Sequence, residues 1–241
     1  VLGAVLYAFC GYNVYNIFFY FFLDSAALFP YMLAALDDAV LDRKAGRFPF
    51  WVAVNLLTNY FFFAGQAVFL LLYFLCLCAG RVYRLTLRLF GRLAFEGVLG
   101  CALGCALLIP AALSLIQNPR TIDPFDGYGY LVYNKAQQYL AILFSAFLVP
   151  DAPYLTDLFS EGVIKWTSLS AYLPVVGLAG GLAFCQVFRR HPFARLLKIC
   201  VVCAFVPVLN SLFYALNSSY YARWYYMPLL VLCAATVMAL Q

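Results

Sequence analysis

Residues 48–80, FPFWVAVNLLTNYFFFAGQAVFLLLYFLCLCAG, decide how this chain is organised, and they contain no Asp, Glu, Lys or Arg. As one helix they would run about 48 Å, well beyond the roughly 30 Å of a hydrocarbon core. As two half-length helices, 48–63 and 65–80, they turn back near Thr58-Asn59-Tyr60 and Gly65. Charge selects between the two. Three basic stretches, 43–47, 81–92 and 189–198, hold eleven of the fifteen Lys and Arg residues. With a hairpin all three lie on one side, and only Arg120, Lys135, Lys165 and Arg223 fall on the other. With a single crossing everything after residue 80 changes sides, the count becomes seven against eight, and the positive bias of cytoplasmic loops vanishes. The hairpin is therefore expected. Its short arms imply local thinning of the bilayer or burial within the protein.

The composition agrees with a membrane-embedded chain. It is 66% apolar and 10% charged, against about 45–50% and 25% for a soluble domain. The class is an all-α, polytopic transmembrane helical bundle with short half-helices. The net charge of +5 belongs to loops and is not interleaved with any nucleic-acid-reading motif, so no nucleic-acid partner is expected. Both ends, at Val1 and over Met227–Gln241, lie inside apolar runs, so the chain is expected to be a fragment of a longer protein. The nine cysteines sit in apolar runs beside Ala, Gly, Leu and Val, and the single histidine, His191, lies in a basic stretch. They read as small apolar contacts between helices, with no metal or cofactor site expected. Gly97, Gly100 and Gly104 read as close-packing positions in the same way.

Alternation from the hairpin gives the expected spans: 1–10 (partial), 14–41, 48–63, 65–80, 93–116 bent near Pro110, 168–188, 199–216 and 228–241 (partial). Between them lies a long outer segment, 117–167. Within it Ala136–Val149 is too short to span and fits an interfacial or re-entrant helix on the outer face. The basic stretches become cytoplasmic loops. Asp37, Asp38 and Asp42 then read as solvated on that side, and Glu96 pairs with Arg92 at i,i+4 spacing.

The remaining polar and aromatic residues gather on the outer face. The densest group is Asn217-Ser-Ser-Tyr-Tyr-Ala-Arg-Trp-Tyr-Tyr-Met-Pro228, an isolated cation among stackable rings and hydroxyls. Tyr and Trp there can form an interfacial belt. The amides are less easily read so, and Arg223 and Arg120 offer planar forks to phosphate oxygens. Asn59, Tyr60, Asn217, Tyr221 and Trp224 are the neighbours expected to bind a sugar or lipid phosphate with them. Asp24 has two readings. In one straight helix from Val14 it would lie roughly 15 Å deep and be functional. With Tyr15–Leu23 along the surface it would instead cap the descending helix.

Several of these pieces carry a resemblance: Leu6-Tyr7-Ala8-Phe9 before a polar break, Leu23-Asp24 ahead of Pro30, Leu57-Thr-Asn-Tyr60, Pro110 followed by Asn118-Pro-Arg120, and Tyr-Ala-Arg-Trp-Tyr-Tyr-Met-Pro ending at Pro228. In that order the chain resembles the YfhO family of bacterial membrane proteins. The resemblance implies a GT-C-type glycosyltransferase in the bacterial cell membrane. Such an enzyme moves a sugar from a polyprenyl-phosphate donor to a cell-envelope glycopolymer on the outer face. It implies a main catalytic carboxylate in a first outer loop that would precede Val1, with Asp24 a secondary candidate, and Arg223 and Arg120 on the leaving phosphate. The alternatives are a transporter or flippase of lipid-linked glycans, and a non-catalytic envelope scaffold. A transporter would call for mid-depth ionisable residues and internal repeats.

Overall fold

The computed structural model describes residues 1–116, 129–133, 136–149, 170–216 and 222–241. Among the described residues all regular structure is helical. The helices are α1 (Leu2–Ala8), α2 (Gly11–Tyr15), α3 (Tyr20–Leu41), α4 (Arg47–Thr58), α5 (Tyr60–Ala79), α6 (Leu87–Leu103), α7 (Cys105–Ile116), α8 (Gln137–Phe147), α9 (Val175–Val187), α10 (Pro192–Phe205), α11 (Pro207–Ser211) and α12 (Tyr226–Leu240). Short 3-10 turns occupy Asn16–Phe18 and Leu212–Tyr214. Among the described residues, α5 is the one helix long and apolar enough to cross a membrane, and up to three crossings result if two bent helix pairs each count as one.

The decisive segment does break, but at Asn59 and not across 58–65. Asn59 adopts an extended backbone, and its side-chain oxygen accepts from the N–H groups of Phe61 and Phe62, capping α5. The arms are consequently unequal, 12 residues in α4 and 20 in α5. Gly65 lies inside α5, where a Cβ would stand 2.7 Å from the Phe213 carbonyl oxygen. It serves a close contact between helix and turn, and makes no break.

Hydrogen bonds tie the ends of the arms together. Arg47, at the start of α4, pairs with Asp38 at 2.5 Å, and Lys44 bridges Asp38 and Asp42. Tyr73, near the end of α5, and Tyr83, just beyond it, both donate to the carboxylate of the adjacent Asp37. Arg92 of α6 pairs with Glu96 at 2.8 Å and donates to the carbonyls of Arg43 and Lys44. Arg195 of α10 donates to the carbonyl of Ala79. All three basic stretches therefore meet at one end of the bundle. Asp37, expected to be solvated, is instead half-buried under two tyrosines. Burial, reinforced by the hydrogen bond to Asp37, pushes the Tyr83 hydroxyl well above its ordinary range and keeps it a donor. Its bond to Lys44 holds Asp42 below the usual carboxylate range.

Three expected helices differ from those observed. The run from Val14 is divided: α2 and the 3-10 turn precede α3, which starts only at Tyr20. The span after 93 bends by 70° at Gly104, while Pro110 sits inside α7. Gly104, at the bend, packs against Leu56, where a Cβ would stand 2.3 Å from a methyl group. The expected outward helix over 199–216 turns through 107° after α10. Val206 takes an extended backbone there because the ring of Pro207 excludes the helical one.

Small residues set two close helix contacts. Gly100 and Gly104 let α6 approach α4, with a Gly100 Cβ placed 2.6 Å from Val52 and 2.7 Å from the Pro49 carbonyl. Gly180 and Gly181 seat α9 on Leu232 and Thr236 of α12, whose hydroxyl donates to the Gly177 carbonyl at 2.6 Å. Such contacts carry helix association where lipid and side chain are equally apolar. Gly97 has open space around it and is not a contact. The run over 136–149 forms α8, which buries one face, Gln138, Ala141, Ile142 and Ser145. Tyr139 stacks on Phe205 at the end of α10.

Three outcomes follow for thermal unfolding of the full protein in detergent. Gly100→Val should destabilise by about 1–3 kcal/mol through overpacking, while Gly97→Ala should lie within about 0.5 kcal/mol of the parent. Arg92→Ala should cost about 3 kcal/mol, because Glu96 would be left buried without its counter-charge.

Candidate functional site

The end of the bundle opposite the basic residues is built from aromatic side chains. Phe22 lies fifteen residues before Asp37 on α3, about 22 Å along the helix. It packs on Phe62 of α5 at 4.9 Å between ring centroids. Phe62 and Phe29 both contact Tyr226 at the start of α12, and Tyr226 contacts Tyr12 of α2 at 5.3 Å. The Gln66 amide donates to the Tyr226 hydroxyl at 3.0 Å in the middle of this packing. Tyr12, Gln66 and Tyr226 are all buried, and the Tyr12 hydroxyl has no hydrogen-bond partner among the described residues.

Arg223 closes the cluster. Its guanidinium stands 5.1 Å from the centre of the Phe22 ring, a cation–π distance, and its backbone N–H donates to the Tyr214 hydroxyl at 2.5 Å. Trp224 stacks face to face on Phe213 at 4.0 Å, and its indole N–H donates to Asn210 at 2.6 Å. A cavity of about 10 Å³, room for one water molecule, lies between Phe62, Gly65, Phe213, Tyr214, Arg223 and Tyr226. The backbone entering this corner is strained: Ala215 and Leu216 have φ of +52° and +64°, left-handed values that side chains disfavour. Chemically, the corner offers a held cation between stackable rings, with hydroxyl and amide groups beneath it.

The expected site residues divide as follows. Arg223 and Trp224 come together, and Asn59 and Tyr60 lie at the same end, where Asn59 caps α5 and the next residue, Phe61, contacts Tyr214. Arg120, Asn217 and Tyr221 lie outside the described residues. Asp24 is exposed in the second turn of α3, whose N-cap is Phe19, so the capping role is overturned. Two residues of helix separate Asp24 from Phe22, about 200° of rotation, so it faces away from Arg223. Asp24 shares a stripe with Ala27 and Tyr31, which line an apolar groove of about 800 Å³ between α1, α3 and α12. Tyr12, Trp224, Tyr225 and Tyr226 are core residues and not an interfacial belt.

Gln66, Asn210 and Tyr214 are the contributors that the sequence reading did not single out. The signal for the two amides is a lone polar side chain within an apolar helical run. Among the described residues no group of three or more His, Cys, Asp or Glu converges.

Asn210→Leu should strand the Trp224 indole N–H in the core and lower stability by about 1–3 kcal/mol. The readouts are thermal unfolding and a shift in tryptophan emission, with Trp51→Phe and Trp166→Phe present to isolate the signal.

A family sequence model described as bacterial membrane protein YfhO matches residues 1–241. No curated protein and no solved structure matches the chain. The match runs the whole length of the chain, through both the basic end and the aromatic corner around Arg223, and the chain belongs to the YfhO family of bacterial membrane proteins.

Proposed function

We propose that the full protein is a GT-C-type membrane glycosyltransferase. In this reading it moves a sugar from a polyprenyl-phosphate donor to a cell-envelope glycopolymer at the outer face of the bacterial membrane. The observation that carries the reading is Arg223: its guanidinium stands over Phe22 while its backbone N–H is fixed by the Tyr214 hydroxyl, at the end of the bundle remote from the three basic stretches. The reading takes the basic end as cytoplasmic, by the positive bias of inner loops, and the aromatic end as outer. It also takes the apolar helices as the eight expected segments of one transmembrane domain.

In the transfer, an acceptor hydroxyl oxygen bonds to the anomeric carbon of the sugar as that carbon's bond to the phosphate oxygen breaks. The electron pair leaves on the polyprenyl phosphate, where the guanidinium of Arg223 neutralises it. The hydroxyl proton goes to a carboxylate; Asp24 is exposed at the same end but on the face of α3 turned away from Arg223, so it is the candidate only for an acceptor that approaches from that face. Trp224 lines the corner and Asn59 and Tyr60 lie at the same end, next to its Phe61, and Arg120, Asn217 and Tyr221 complete the set assigned to sugar and phosphate.

Radiolabelled polyprenyl-phosphate sugar with membranes carrying the full-length protein tests this. Arg223→Ala should lower transfer by about 100-fold with insertion unchanged, and Arg223→Lys should retain part of it. Equal transfer by parent and Arg223→Ala would remove the phosphate role. No transfer by the parent would leave a flippase or an envelope scaffold, since neither forms a glycosidic bond. Asp24→Asn tests the proton step separately: unchanged transfer assigns it to another carboxylate. Cysteine labelling in intact cells checks the orientation, with a probe at Arg190 expected to be protected and one at Asp24 reactive.

A further inference from the structure

Among the described residues, the basic end contains more positive charge than acidic side chains neutralise. Five acidic residues are described, and four of them, Asp37, Asp38, Asp42 and Glu96, lie near this end. Asp38 and Asp42 are taken by Lys44 and Arg47, Glu96 by Arg92, and Asp37 by the hydroxyls of Tyr73 and Tyr83. All four serve the α3, α4 and α6 side of the bundle. Among the described residues none is within ion-pair distance of Arg81, Arg189 or Arg190.

Those three arginines are brought to one seam. Gly80 lies against Pro192, with room for no side chain: a Cβ there would stand 2.3 Å from the proline ring. Arg195 fastens the same seam from α10 by donating to the Ala79 carbonyl. The next residue, Arg81, is thereby set beside the segment that carries Arg189 and Arg190, and all three side chains are exposed. The segment from Gln186 to His191 surrounds an open recess of about 560 Å³. His191 is fixed at its edge, accepting from the Phe193 N–H and wedged between the Phe184 and Phe193 rings. Burial lowers its pKa, so it acts as an acceptor and adds no charge.

Apolar side chains are interleaved with these cations. Val82 is 45% exposed, Leu85 53%, Val187 73% and Phe188 47%. A surface for nucleic acid alone has little use for the apolar part of that mixture. A headgroup layer uses both parts, because phosphate and acyl chain meet there within a few ångströms. We propose that Arg81, Arg189 and Arg190 form a binding site for the phosphate of an anionic glycerophospholipid, with Val82, Val187 and Phe188 against its acyl region. The site lies at the opposite end of the bundle from Arg223 and does not depend on the activity assigned to that corner.

The test is native mass spectrometry of the full-length protein, purified in detergent and offered phosphatidylglycerol and phosphatidylcholine of the same chains. The parent should retain phosphatidylglycerol in preference. Arg189→Gln with Arg190→Gln should weaken that preference about tenfold. Arg43→Gln with Arg88→Gln removes the same charge from the same end outside the recess, and should change it less than twofold. Arg189→Lys with Arg190→Lys should keep most of the preference and exclude misfolding as the cause. Equal loss in both glutamine pairs would reduce the effect to general attraction and overturn the site. No preference in the parent would overturn it as well.

Discussion

The last turn of α3 presents Asp37 and Asp38 side by side, and the arrangement of the chain depends on what these two carboxylates accept. Asp38 receives the start of α4 through Arg47 and the preceding loop through Lys44. Asp37 receives the far end of α5 through Tyr73 and the loop beyond it through Tyr83. A carboxylate away from bulk water is costly unless its lone pairs are filled. Filling both here requires that residues 47–58 and 60–79 leave from and return to the same end. The hairpin follows from this local chemistry as much as from the length of a bilayer. Once it is formed, basic side chains have one end and aromatic side chains the other.

Between those ends the helices are held by shape. Gly100 of α6 and Gly104 just after it, packed against α4, and Gly180 and Gly181 of α9, packed against α12, let the helices approach to distances that a side chain there would prevent. This arrangement suits a chain whose surroundings are as apolar as its own core. Some polar atoms inside it are paired, as with Thr236 on the Gly177 carbonyl and the Gln66 amide N–H on Tyr226, while the Tyr12 hydroxyl has no partner among the described residues.

The same physical division explains which features were legible in the sequence. The turn within residues 48–80 could be read because charge balance is a global property, insensitive to where the break falls. Its placement at Asn59 required the cap: an amide that satisfies two N–H groups outweighs a nearby glycine. Proline and glycine exchanged roles elsewhere. Pro110 is absorbed within α7, while the bend falls at Gly104, where the chain packs closely on Leu56 of α4. The turn at Pro207 was visible as a residue, but apolarity on both sides concealed it. Trp224 and Tyr226 illustrate the limit most clearly. Their composition fits an interfacial belt, and only the partners Phe213, Asn210 and Gln66 bring them inside. Such partners are far apart in sequence, so local pattern carries no trace of them. The aromatic corner was legible in position and not in depth.

The unequal arms of the hairpin have an electrical consequence. Tyr73, level with Asp37, is fourteenth in the 20 residues of α5, so six more residues, about 9 Å of helix, continue past it. Tyr83 then folds back to Asp37 through a tight turn in which Arg81 adopts a left-handed backbone. Positive charge at this end is thus stacked in two tiers. One, with Lys44 and Arg47, lies level with the acids; the other, with Arg81, lies beyond them. Their separation is about one screening length at physiological ionic strength, roughly 8 Å. At that spacing salt screens much of the repulsion between the two tiers, so both can be kept at one end of the bundle.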